Sequence, residues 1–119
     1  EQQYASGIGK WRAKELPAFF SNWGSYGIGD TAFILSNFFG GGADDLVQDA
    51  QLAEWLTEAD TASDRAVRAE NYAMAVKKIA EEAYWMPMYN FNVNYGLSND
   101  LNFTPHPDEF ARWWMASWK

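Results

Sequence analysis

Between Ser63 and Tyr95 the spacing of apolar residues switches from a helical period to a strand period, and this switch narrows the available folds most. From Ser63, read as an N-cap, Ala66, Ala69, Ala73, Val76, Ala80 and Ala83 recur at alternating steps of three and four, and Tyr72 and Ile79 widen the stripe. Asp64 falls in the first turn, where the helix dipole favours an anion, four residues before a possible partner in Arg68. The spacing predicts a helix over about 64–83, with an alanine face small enough for close approach to a sheet or another helix. Then Tyr89, Phe91, Val93 and Tyr95 alternate with Asn90, Asn92 and Asn94, which predicts a strand with one buried and one polar face. Pro87 has no N–H to give a ladder and suits the start or the edge of that strand.

Upstream, Glu1 to Pro17 carries a faint helical pattern interrupted by Gly7 and Gly9. Ala18 to Trp23 is a short β-prone run that ends in a glycine-rich loop. Asp30 to Phe39 reads as a short buried helix, with Asp30 as N-cap candidate and three glycines closing it. Asp49 caps a further helix whose Leu52, Trp55, Leu56 and Ala59 share one face. Beyond Gly96 a loop with one short strand leads to a final short helix or strand, whose Trp113, Trp114 and Trp118 need covering and read as packing anchors.

At 119 residues the chain has room for one domain, and its 48% hydrophobic content excludes a disordered tail. Aromatics at 18% exceed what so small a domain easily hides, so some are expected to face a partner or ligand. The net charge of −7 and the scattered Lys and Arg argue against nucleic acid as a partner. Without cysteine there is neither disulfide nor thiolate metal site. The first residue is a charged Glu in mid-pattern, and the chain reads as cut from something longer.

Enzyme chemistry finds little footing. The single histidine, His106, sits between Pro105 and Pro107 and reads as surface loop, so no Ser–His–Asp arrangement can be assembled around a second one. Asp44 with Asp45, and Glu81 with Glu82, look like solvated helix-end charges. The glycine runs lack the Lys and Ser/Thr of a phosphate loop, and metal-ligand spacing is absent, so no cofactor and no metal are expected. Binding has better candidates. Trp23 opens the loop Gly24, Ser25, Tyr26, Gly27, and its ring either folds back under the following helix or stacks on a ligand. The asparagine row is either the wet face of a strand or a hydrogen-bonding wall of a cleft.

The ordered series Trp23, Asp30, Asp64, Arg68, Tyr72, Ala75, Ile79, Glu82, Met86, Pro87 and Met88 resembles the C-terminal part of the periplasmic solute-binding proteins of ABC importers, in their large peptide- and nickel-binding family. The resemblance runs from about Ala18 to Lys119 and rests on the series, not on one motif. It implies an α/β fold: the C-terminal fragment of a two-lobed (type II) binding protein, a mixed sheet flanked by helices. Residues 1–17 would end a segment of the second lobe, and 18–119 would form the C-terminal part of the first. Trp23, Gly24, Ser25, Tyr26 and Asp30 would then line the ligand cleft.

The same resemblance implies a periplasmic protein that hands a peptide, oligosaccharide, opine or metal chelate to a membrane permease, with the missing N-terminal part of the same protein as a further partner. Peptide-binding members resemble one another in a carboxylate three residues after this Trp. Here that position is Tyr26, which cannot pair with an ammonium group. The loop is closer in form to nickel-chelate, oligosaccharide or opine members. From a different class, a stand-alone interaction or oligomerisation module also accounts for the surplus aromatics.

Overall fold

A computed structural model of the chain describes residues 3–24, 28–108 and 110–119. The chain divides into two compact units, Glu1–Trp23 with Asp30–Met86, and Gly24–Gly29 with Pro87–Lys119.

The first unit is helical: α1 (Tyr4–Arg12), α2 (Ala32–Phe39), α3 (Ala50–Thr61) and α4 (Arg65–Glu81). Helix α3 begins at Asp49, whose carboxylate accepts the backbone N–H groups of Gln51 and Leu52. Helix α4 begins at Asp64, one residue after the predicted cap, with its carboxylate on the N–H of Ala66. Both caps satisfy donors that the first helical turn leaves without partners. The connector from Ala62 to Asp64 folds α3 and α4 into a hairpin, and α2 packs on α3.

Leu35 and Phe39 of α2, Leu52, Leu56 and Ala59 of α3, and Tyr72, Ala75 and Ile79 of α4 make the core. Ala59 and Ala75 are both wholly buried, and their small side chains let α3 and α4 approach closely. Helix α1 runs through both of its glycines. At Gly7 a Cβ would stand 3.1 Å from the Phe19 ring, so the helix accepts its cost in propensity in exchange for that contact. Arg12 then binds Asp44 with two donors, at 2.5 and 3.0 Å. The turn after α2 closes on the buried Asp45, which accepts the N–H groups of Gly41 and Gln48. Asp45 is therefore a structural acceptor, not the solvated charge expected.

In the second unit β1 (Leu101–Asn102) pairs antiparallel with β2 (Ser117–Trp118), Leu101 opposite Trp118 and Asn102 opposite Ser117. Lys119 ties the end of the ribbon back by donating its N–H to the Asp100 carbonyl and its Nζ to that of Asn99. Phe103 stacks on Trp113, at the start of a 3₁₀ turn over Trp113–Met115, with ring centres 4.9 Å apart. None of the described residues of this unit is buried.

The fold expected from the resemblance is overturned. The chain is mostly helical with a two-stranded antiparallel sheet, not a mixed α/β unit of a type II binding domain. Residues 18–23 and 88–95, the expected strands, form no ladder among the described residues. A strand exists only where another strand takes up its backbone groups, and among the described residues no strand lies in a ladder with either segment. The stripe on α4 is also corrected. Ala66, Ala69, Ala73, Val76 and Ala80 are exposed, as is Ala83 beyond the helix end, while Asn71, Tyr72, Ala75 and Ile79 are buried. Both sets fit a helical period, and the larger side chains decided which face turned inward. Asn71 reaches the Val67 carbonyl through Nδ2, but its buried Oδ1 has no partner among the described residues.

Leu56, 1% exposed at the centre of the core, is the position where a cavity should cost most. Leu56→Ala is expected to lower the unfolding free energy by about 2–5 kcal/mol, read from urea denaturation followed by far-ultraviolet circular dichroism. A loss under about 0.5 kcal/mol, the range of ordinary surface changes, would place Leu56 outside the core.

Candidate functional site

Trp23 closes the first stretch of the helical unit, and α2 holds it there. Its ring lies 5.1 Å from that of Phe33 and 5.1 Å, edge-on, from that of Phe38, yet it stays 40% exposed. It is neither sealed beneath the helix nor free of it: one side packs and the other is open to solvent. Phe38 also meets Trp85 edge-on at 4.8 Å, so one side chain on α2 fixes both tryptophans. Trp11 completes the cluster at 6.1 Å from Phe38.

Asp30 stands just ahead of α2 and carries two structural loads. Its Oδ1 accepts the N–H of Ala32, and both carboxylate oxygens accept from Nη2 of Arg68, at 2.6 and 2.8 Å. The Ala32 N–H first, and the Arg68 guanidinium after it, hold the Asp30 carboxyl below its usual range. Arg68 is pushed upward in return, chiefly by Asp30. Arg68 was expected to pair with Asp64. It reaches across the fold instead, giving Nη1 to the Ala59 carbonyl at 3.1 Å and lying 5.0 Å over the Tyr72 ring.

Next to it, Asp60 accepts from the Tyr72 hydroxyl at 2.5 Å and from Ser36 Oγ at 2.6 Å. Burial, and then Asp60, push the Tyr72 hydroxyl well above its ordinary value, so it stays a donor. This network escaped the sequence reading, because Asp30 and Ser36 lie far from their partners along the chain. The one trace of it in the sequence was the ordered series Asp30, Arg68, Tyr72.

Of the remaining expected ligand residues, Gly24 is half-buried, while Ser25 and Tyr26 lie outside the described residues. The second unit places His106 on an exposed loop, with Nδ1 2.8 Å from Asp108 Oδ1. Asp108 is held far below the carboxylate range by Arg112 first, and then, against the opposing effect of burial, by His106. A shallow depression in the helical unit is lined by Gly41, Asp45, Gln48, Asp49, Ala50 and Ala53. Its carboxylates are occupied: Asp49 caps α3 and also binds Lys78 Nζ and the Tyr84 hydroxyl. Among the described residues no cluster of three or more His, Cys, Asp or Glu could hold a metal ion, and no helix is long and apolar enough to cross a membrane.

Trp23 presents a half-exposed indole held by Phe33 and Phe38, an arrangement that can stack on a flat or ring-bearing solute.

The Asp30–Arg68 pair sets a pH signature. A carboxyl lowered by folding contributes stability in full above its unfolded value, about 3.9, and loses that contribution as pH falls through the folded value. Wild type should therefore melt above Asp30→Asn near pH 7, and the gap should close as pH drops below about 4. A gap that stays constant from pH 7 to pH 3 in thermal melts would mean that the charge on Asp30 contributes nothing.

No family model, no curated protein and no solved structure matches this chain.

Proposed function

We propose that the chain supplies one wall of a non-enzymatic solute-capture protein, the substrate-binding component of an ABC import system working in the periplasm. The observation that carries this reading is Trp23, half-exposed and clamped by Phe33 and Phe38 directly before a glycine-rich run. An aromatic ring left partly open while its orientation is fixed has already lost its freedom, so stacking on it costs a ligand little. The ordered series of residues shared with the importer family supports the same reading. Capture shifts an open–closed equilibrium as far as the ligand prefers the closed state, and the closed form is what a permease would recognise.

The ligand would be a peptide, oligosaccharide, opine or metal chelate. Both Asp30 oxygens are committed to Arg68, so a ligand ammonium group would find no free charge there. That favours the members of the set that present no free amine. The remaining part of the same protein and the membrane permease are the partners this reading requires.

A second reading, a stand-alone interaction or oligomerisation module, draws on the exposed aromatic surface of the second unit, where Trp114 and Trp118 are 71% and 74% exposed. The two separate on solute binding. A panel of a tetrapeptide, a cello-oligosaccharide, an opine and a nickel chelate is titrated by calorimetry against the intact protein and its Trp23→Ala variant. One ligand should bind without turnover, and the substitution should cost about 1–3 kcal/mol, on the scale of aromatic anchors at recognition sites. Unchanged affinity in the variant would return Trp23 to a packing role. Silence across the whole panel in the intact protein would favour the module.

A further inference from the structure

Of the chain's eight asparagines only Asn102 has a serine or threonine two residues on, in the run Asp100, Leu101, Asn102, Phe103, Thr104. Asn-x-Ser/Thr without a proline in the middle is the acceptor pattern for an N-linked sugar, and it has meaning only on an accessible segment of an exported chain. Taken as sequence, the pattern is short enough to arise by chance. The fold gives it a context.

Along this run exposure alternates, as it does on a strand with one packed side. Leu101 and Phe103, the two positions that the pattern leaves variable, are half-buried. Leu101 lies opposite Trp118 in the ribbon, and Phe103 stacks on Trp113. Asn102 and Thr104 are exposed and, two residues apart on extended backbone, share the other side, with the exposed Asp100 just ahead of them. Other polar side chains of this unit are engaged: Ser98 Oγ accepts the Asp100 N–H, and Asp108 holds Arg112 and His106. The Asp100 carboxylate, the Asn102 amide and the Thr104 hydroxyl have no partner among the described residues. The ribbon also gives way easily. β1 and β2 are two residues each, and a two-stranded ribbon by itself is marginal in water, so little opposes lifting Asn102 into the groove of another protein.

We infer that Asn102 is a glycosylation site, with a lipid-diphosphate-linked oligosaccharide as the donor and an oligosaccharyltransferase as the partner. This rests on the proposed reading in one respect, the export of the chain. In the transfer, Asn102 Nδ2 forms a bond to the anomeric carbon of the first sugar. The bond from that carbon to the diphosphate oxygen breaks, its electron pair leaves on the diphosphate, and one amide proton passes to a base of the transferase. Nothing is oxidised or reduced. Thr104 offers the transferase a hydroxyl to hydrogen-bond on the same side as the acceptor, and Asp100 offers a negative charge for a basic group to grip.

Glycopeptide mass spectrometry tests this on the protein recovered from the source cells with an antibody against it, as wild type and as variants expressed there. The peptide that contains Asn102 should carry sugar in wild type, in Thr104→Ser and in Ser117→Ala, a change that touches the ribbon and leaves the pattern intact. Sugar should be lost from Asn102→Gln and from Thr104→Ala, and its occupancy should fall in Asp100→Ala, while the helical circular dichroism of all these variants matches wild type. A bare Asn102 in wild type would overturn the inference, and so would sugar that persists in Thr104→Ala or sits on another residue instead. Solute titration of the same material separates the two ideas. A bare Asn102 in a protein that binds solute would sink the glycan alone, and a glycan on a protein that binds no solute would sink the transport reading alone.

Discussion

The Arg68 guanidinium is the interaction on which the helical unit is assembled. It neutralises Asp30 ahead of α2, caps a carbonyl in the last turn of α3 and lies over Tyr72 on its own helix. A cation at the end of α3 also opposes the partial negative charge that unpaired carbonyls leave there. At the opposite end of the α3–α4 hairpin Asp49 plays the converse part. It caps the start of α3 and binds Lys78 and Tyr84 from the end of α4 and just beyond it. The hairpin is thus clamped at each end by a charged side chain that is itself ion-paired, with Ala59 and Ala75 allowing close packing between. None of these pairs is deeply buried, so their weight lies in fixing register more than in raw stability.

From that frame follows the placement of the exposed aromatics. Because α2 is oriented by Asp30 and by the Ser36–Asp60 bond, Phe38 points where both Trp23 and Trp85 can meet it. Trp23 is the last residue of the first stretch of the helical unit, and Trp85 is followed in that unit only by the exposed Met86. Trp23 therefore owes its usefulness as a recognition surface to a structural contact. The indole is held in one orientation by ring packing, and its open part is what is left over for a ligand.

Much of the helical unit was legible before any tertiary structure. The face of Leu52, Trp55, Leu56 and Ala59 and the cap at Asp49 follow from a period and a carboxylate, and the structure has them as read. The extent of α4 was legible too, but its inward face was not. Alanines and larger residues both obeyed the period, and only packing against α3 chose Tyr72, Ala75 and Ile79. The site was legible as residue types and not as partners. Nothing local distinguishes an Arg68 that reaches Asp64 one turn back from one that reaches Asp30 at the far side of the fold.

By itself the sequence determined, to within a residue or two, where α2, α3 and α4 start and how far they run, because capping and periodicity act over a few residues, whereas the interruption read at Gly7 and Gly9 did not occur and α1 runs through both. Tertiary structure alone decided whether the β-prone run at 18–23 and the alternating segment at 88–95 would be strands. Alternation prepares a residue run for a sheet, but the ladder is a property of two segments, and its hydrogen bonds exist only when the second is present. It also decided that Asp30 would be bound by Arg68 and that Trp23 would keep one side in solvent, since each depends on elements brought together from distant parts of the chain.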